Sequence, residues 1–482
     1  MSTTAQRRAS LDRPGRGWID HNWRTPHYLA LAVIALLQTL VRADVPLGQD
    51  AYWEARYGLD VIRTGSLPRA DTYSWTAHGA PWIPSSWAWN VVLGSGYDAM
   101  GYLGLWVLAA AVSVLSALAI AAVARRAGAR PWPTLAVYAP IGMLGLESVP
   151  RAQTLSNVAA VLVAVLAGQV MTRCGRRAVV GWLLVLCAVQ IAWMNLHSMA
   201  LLGPVLAAAA GLAVLAGRRT ADRRAVGRLV VITATTAASC LATPYGVEPI
   251  THAAAVRAAS VGLVTEWVPA GFGSVSQFLT LIAVAAGVVL CVRAWRGQRF
   301  VLAACLLVLA VATASAIRFL PMLAVAATPE VALAVGALRV REGFMRFCVA
   351  AVAVVLAALG ATGWRDLAAL DPLVSPGLVR AIPGGCRLLN DDLAGDAVVL
   401  ARPDVRVSLD GRNDMYGRAR VEKVLDEFAN RPGTMEQLDR QHVGCVLGPS
   451  SMALVQALRS QPGWRVAGQD TLRTLLVLSE PS

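Results

Sequence analysis

The residues of this chain that could do chemistry are few and widely spaced: Asp50, Glu54, Asp71, His78, Arg151, His197, Tyr245, Glu266 and Arg318. Asp50, in Gly48-Gln49-Asp50-Ala51-Tyr52-Trp53-Glu54, can act as a general base where a low-dielectric boundary raises its pKa. The same residues read as a helix N-cap with Glu54 acidic in the first turn. Asp71 and His78 sit in the turn-rich stretch 68–78, where loop structure competes with a binding role. Arg151 and Arg318 carry guanidinium forks that suit phosphate, and snorkelling to a membrane interface is the alternative for both. His197, in Trp193-Met194-Asn195-Leu196-His197, could hydrogen-bond a phosphate or a sugar, or be satisfied by backbone. Tyr245, in Thr243-Pro244-Tyr245-Gly246, and Glu266, beside Trp267, suit either simple turn chemistry or a grip on a sugar.

Elements that cross a membrane must position these groups. Of the 482 residues, 56% are hydrophobic and 15% charged, against roughly 25% charged in soluble domains. With apolar runs of about 20 residues, this indicates a polytopic helical membrane protein. The net charge of +14 is almost all arginine, Lys423 being the single lysine. The positive-inside rule accounts for that excess, so nucleic acid is not expected as a partner. About eleven spans are predicted, at 26–43, 102–124, 132–147, 153–172, 178–196, 198–216, 227–243, 274–292, 300–316, 319–338 and 344–362. Arg-rich gaps at 125–130, 173–177, 218–228, 293–299 and 339–346 alternate with gaps that hold the candidate residues. That alternation predicts a cytoplasmic N-terminal tail (1–25), a transmembrane domain (26–363) and an extracytoplasmic C-terminal domain (364–482). No charged residue falls convincingly at mid-span.

The long first outer loop, 44–101, carries an interfacial helix over Asp50–Arg63 and a second near Trp82–Leu93, both rich in residues that favour that depth. Past Trp364 the composition becomes soluble. Strands are expected at Ala397–Leu400, Val405–Leu409, Gly444–Leu447, Trp464–Ala467 and Leu475–Leu478, with helices near 418–429 and 450–460: a small α/β domain large enough for its own core. Of eight cysteines, Cys386 and Cys445 fall in this domain, where oxidising surroundings would permit a disulfide. Six others lie in or beside apolar spans as packing residues. No Walker loop, dinucleotide fingerprint, metal-spaced His/Cys set or nucleophile elbow is present.

Taken in order, several short motifs resemble bacterial proteins related to the GT-C glycosyltransferases. They are Asp50-Ala51-Tyr52-Trp53, the segment Gly65–Thr76, Pro150-Arg151-Ala152-Gln153, Trp193–His197, Thr243–Gly246, Glu266-Trp267, Arg318-Phe319-Leu320-Pro321 and Leu409-Asp410-Gly411-Arg412-Asn413-Asp414-Met415-Tyr416-Gly417. The resemblance implies a GT-C-like fold in the bacterial plasma membrane, a sugar donor linked to polyprenyl phosphate, and Asp50 as the first-loop base or acceptor-orienting carboxylate. By the same likeness Arg151, His197 and Arg318 hold the lipid phosphate. GT-C first loops often carry Asp-x-Asp, whereas here Gly48 precedes Gln49-Asp50 and the second acid is Glu54; a divalent metal is therefore unsupported, and no cofactor is assigned.

The resulting expectation is a membrane glycosyltransferase of the cell envelope. It would move a sugar from a polyprenyl-phosphate donor to a glycan, lipid or protein acceptor on the extracytoplasmic side. The alternative is a non-catalytic scaffold or a lipid-linked glycan transporter. A scaffold would use Asp410, Arg412, Asp414 and Tyr416 as a contact patch, although a strand-end turn held by local ion pairs explains the same residues.

Overall fold

The computed structural model describes residues 23–41, 50–145, 151–218, 223–260, 265–338, 340–369 and 374–479. Most of the expected N-terminal tail and the loop start at 44–49 lie outside these residues. Each of the eleven apolar segments is helical: α1 (Thr25–Val41), then, beyond the first outer loop, α4 (Tyr102–Ala127), α5 (Pro131–Gly145), α6 (Ala152–Thr172), α7 (Arg176–Leu196), α8 (Gly203–Arg218) and α9 (Arg223–Ser239). After a connecting helix α10 (Glu248–Ser260) come α11 (Val275–Arg296), α12 (Phe300–Ser315), α13 (Leu320–Ala337) and α14 (Glu342–Ala369). Among the described residues, seven of these, some extended by a preceding short turn, are long and apolar enough to cross a membrane; Thr25–Val41 and Phe300–Ser315 are apolar but shorter. The arginine gaps coincide with helix ends. Arg125 and Arg126 close α4, and Arg293 and Arg296 close α11, where the helix dipole favours cations.

One charge escaped the sequence reading. Glu330, inside α13, is fully buried and ion-paired with Arg299, with Arg293 at 3.7 Å. Both arginines come from the α11–α12 end, so the carboxylate is neutralised by fixed partners.

The first outer loop forms two helices, α2 (Asp50–Thr64) and α3 (Trp87–Met100), the second a few residues later than expected. They approach backbone to backbone. A Cβ on Gly58 would meet the Asn90 carbonyl oxygen at 1.8 Å, and one on Gly94 would meet Gly58 at 2.6 Å, so only glycine permits this crossing.

The C-terminal part carries a five-stranded sheet of order β2-β1-β3-β5-β4, formed by β1 (Arg387–Asn390), β2 (Arg406–Val407), β3 (Cys445–Pro449), β4 (Trp464–Gln469) and β5 (Arg473–Leu478). The first three in this order pair in parallel; β5 is antiparallel to both its neighbours. Cys386 and Cys445 are disulfide-bonded. The stretch Ala397–Leu400, expected as a strand, belongs to helix α16 (Asp392–Ala401), which follows the short α15 (Pro376–Ala381). Asp391 caps it by accepting from the Ala394 amide at 2.8 Å. Because Ala394 to Leu400 are all buried, no apolar stripe betrays the helical period.

This part has two apolar clusters, and one of them is shared. Phe428, Leu438, Leu454 and Leu458 pack on one face of the sheet. On the other, Val398, Leu400, Val407 and Leu447 join Tyr52, Trp53, Tyr57 and Trp82 of the first outer loop. The loop also adds to the sheet edge: Trp75 N donates to the Val407 carbonyl at 3.0 Å, Val407 N donates to Tyr73 at 3.1 Å, and Thr76 Oγ1 donates to Ser408 at 2.7 Å.

Arg412 pins this junction. Fully buried, it donates to both Asp410 oxygens at 2.8 and 2.6 Å and to Asp71 Oδ1 at 2.6 Å. The rings of Tyr73 and Trp82 lie 4.8 Å from its guanidinium carbon, a cation–π setting. Asp410 and Arg412 are therefore not a surface contact patch. Breaking a buried pair by removing one partner typically costs about 3–5 kcal/mol. Arg412→Ala is expected to lower the thermal unfolding midpoint of the detergent-solubilised protein far more than Arg418→Ala, whose exposed pair with Glu422 contributes about 1 kcal/mol or less. Equal midpoints for the two variants would contradict this role.

Candidate functional site

Asp50 opens α2 at the edge of a cavity of about 610 Å³. Its carboxylate accepts from Trp53 Nε1 at 3.3 Å and from Arg151 Nη2 at 3.2 Å. Arg151 also donates to Glu266 Oε1 at 2.8 Å. Since Arg151 immediately precedes α6, its cation sits at the end of a helix where the dipole disfavours positive charge. Two carboxylates from separate segments offset that cost.

One turn along α2, Glu54 lies in the same cavity wall but is only 6% exposed. Ser86 Oγ donates to it at 3.3 Å. Burial, then the nearby Asp50 carboxylate, pushes its pKa well above the ordinary glutamate range, which favours the acid form.

Arg318 lies in the short turn Ile317–Phe319 before α13. Its guanidinium carbon sits 4.2 Å from the Trp267 ring centre, and its carbonyl accepts from Gln153 Nε2 at 2.7 Å. His197, in extended backbone just after α7, has Nδ1 at 2.9 Å from Ser156 Oγ, which also accepts from Trp193 Nε1 at 2.8 Å. Burial, aided by Arg318 and Arg151, pushes His197 down to about 3; the ring is neutral and offers hydrogen bonds rather than charge.

The cavity thus brings together Asp50, Glu54, Arg151, His197, Glu266 and Arg318. Three other expected residues lie outside its lining. Asp71 is buried in the Arg412 cluster and accepts from the Tyr73 and Ser74 amides at 3.1 Å. His78 is exposed in the loop turn. Tyr245 is buried, with its hydroxyl 2.9 Å from that of Tyr57.

The lining also includes groups the sequence reading did not assign to a site: His252 of α10, Asp392 of α16, and Asn413 and Asp414 of the following helix α17 (Asn413–Phe428). Asp414 Oδ2 lies 2.8 Å from His252 Nε2 and accepts from Trp82 Nε1 at 3.2 Å. Asp414 was visible in its Asp-Gly-Arg-Asn-Asp run, but no local pattern links that run to His252. Among the described residues, no group of three or more His, Cys, Asp or Glu side chains is suited to hold a metal ion. Asp50 is taken up by Arg151 and Trp53, and Glu54 is buried, so these carboxylates do not fit a metal.

No family model and no curated protein matches this chain by sequence. Its shape does match solved structures. ArnT from Cupriavidus metallidurans in the apo state aligns with TM-score 0.59 at 14% identity, covering 94% of this chain and 98% of that one. The same protein bound to undecaprenyl phosphate aligns with TM-score 0.55 over the same shares. The fold is GT-C. At this identity the likeness concerns the frame, so the chemistry must be argued from the cavity itself.

Glu54 makes one consequence measurable. Its folded pKa lies above the unfolded value near 4.5, so the native state holds the extra proton. The stability this contributes is full below pH 4.5 and is lost as pH rises toward the folded pKa. Glu54→Gln should therefore flatten the fall of the unfolding midpoint as pH rises above about 4.5, giving a relative gain at the alkaline end. Parallel midpoint–pH curves for variant and wild type would refute a buried, protonated Glu54.

Proposed function

We propose that this protein is an extracytoplasmic-facing membrane glycosyltransferase that uses a polyprenyl-phosphate-linked sugar. The observation that carries the reading is the pairing, within one cavity of a GT-C frame, of a reachable carboxylate with two arginines and a neutral histidine. Asp50, about one-third exposed, is the group that can meet an acceptor hydroxyl. Arg151, Arg318 and His197 are the groups suited to a phosphate.

In this reading the acceptor oxygen attacks the anomeric carbon while Asp50 takes its proton. The bond to the lipid phosphate breaks, and the phosphate leaves as an anion held by the arginines. It needs no general acid. His197 can donate through Nε2 when Ser156, already accepting from Trp193, gives its own proton to Nδ1. A phosphate at Arg151 would also compete with Asp50 for the same guanidinium, so donor binding would loosen the base as the acceptor arrives. ArnT from C. metallidurans has been captured with undecaprenyl phosphate, which makes that lipid the first donor carrier to try. Nothing observed favours the scaffold or transporter alternative: the Asp410–Arg412 patch is buried, and the charge inside a span, Glu330, is held by two arginines.

The test is transfer of radiolabelled sugar from undecaprenyl-phosphate donors in reconstituted vesicles. Asp50→Asn is expected to slow transfer by about 10²–10⁴, the usual range for a general base, with the unfolding midpoint kept near that of wild type. Arg318→Ala should weaken use of the donor. Equal transfer by Asp50→Asn and wild type would remove Asp50 from the mechanism; no transfer from any donor would defeat the transferase reading.

A further inference from the structure

A second opening lies beside the cavity. It is a groove of about 660 Å³ bounded by the first outer loop, α10 and α17, and its size falls within the roughly 300–1,000 Å³ typical of small-molecule sites. The two volumes share Trp82, Ile83, His252 and Asp414 as lining, so they meet at the His252–Asp414 pair.

Their chemistry differs. In the cavity, Arg151, itself held by Asp50 and Glu266, is joined by Arg318 and His197, whereas the groove offers an anion one arginine, Arg69. In the groove, each carboxylate already has a hydrogen-bonding or ion-pairing partner within the groove itself. Arg69 Nη1 donates to Glu248 Oε1 at 3.3 Å, and its Nη2 donates to the Pro244 carbonyl at 3.1 Å. His252 lies 2.8 Å from Asp414. An anion entering here would have to displace a carboxylate from its partner, at the cost of leaving that carboxylate unpaired. What remains on offer is a matched set of donors and acceptors, the exposed Thr251, and an apolar edge from Pro81, Ile83 and Met415. Hydroxyl groups that both donate and accept, on rings with apolar C–H faces, fit such a surface.

We propose that this groove is the acceptor subsite and that it takes an uncharged glycan, whose hydroxyl reaches Asp50 past the His252–Asp414 pair. The word acceptor rests on the transferase reading above. The glycan preference rests on the groove alone and is tested without any donor.

The experiment uses the full chain in lipid nanodiscs. Linear tetrasaccharides of mannose, glucose, arabinose and N-acetylglucosamine are tested for saturation-transfer signals and for dissociation constants, with a glycerol-phosphate tetramer as the anionic competitor. At least one neutral tetrasaccharide should bind. Thr251→Trp, at an exposed position, and Asp414→Asn should each weaken that binding at least tenfold. The glycerol-phosphate tetramer should not displace it. Absence of binding by all four sugars, binding unchanged in both variants, or displacement by the phosphate oligomer would each overturn the proposal. Glycan binding that meets these expectations in a protein that moves no sugar from any donor would support the groove and defeat the transferase reading.

Discussion

The buried cation Arg412 is the constraint on which the C-terminal sheet and the loop carrying α2 and α3 depend. A guanidinium with no exposed surface is tolerable only when its charge is met inside the protein. Asp410 is two residues away, but Asp71 is in the first outer loop, 341 residues distant in sequence. Satisfying Arg412 therefore forces the C-terminal sheet onto the loop. Trp82 extends the effect. Its ring faces Arg412, makes edge contacts with Trp53 and Tyr57, and donates to Asp414. Through it, a structural ion cluster sets the wall of the cavity and the position of the residues that divide cavity from groove.

On the membrane side the organising residue is Arg151. Its placement at the start of α6 is unfavourable alone, and the carboxylates that correct it are the ones the cavity presents. Asp50 comes from the first outer loop and Glu266 from the loop before α11. Three distant segments are thereby held around one guanidinium, in a region where exposed charge would otherwise be lost to water. The same atoms serve folding and define where an anion could bind.

Much of this frame was legible from the sequence, because its causes are local. Apolar runs and arginine placement reveal helices, and all eleven predicted segments are helical. Six of nine candidate residues line one cavity because the gaps that hold them are brought to a common end of the helices. What failed were the long-range terms. Asp71 looked like a loop carboxylate until its partner 341 residues on was known. The stretch 397–400 looked like a strand because a helix buried on all sides loses its period. His252 carried no signal at all: a lone histidine in an alanine-rich segment acquires meaning only when α17 brings Asp414 within 2.8 Å.

The two carboxyls of α2 illustrate how the fold assigns unlike roles to like groups. Asp50 and Glu54 are four residues apart on one helix, an arrangement in which two negative charges repel. Burial eases the conflict by favouring the acid form of Glu54, while Asp50, at the more open position, faces Arg151. A raised pKa alone would have drawn attention to Glu54 as the group for proton transfer. Access argues otherwise: Glu54 is 6% exposed and already receives a hydrogen bond from Ser86, whereas the Asp50 side chain is 36% exposed at the cavity edge. A base must reach the proton before its affinity for it matters. On the transferase reading, proton transfer therefore falls to Asp50, while the raised pKa of Glu54 lessens the charge beside it.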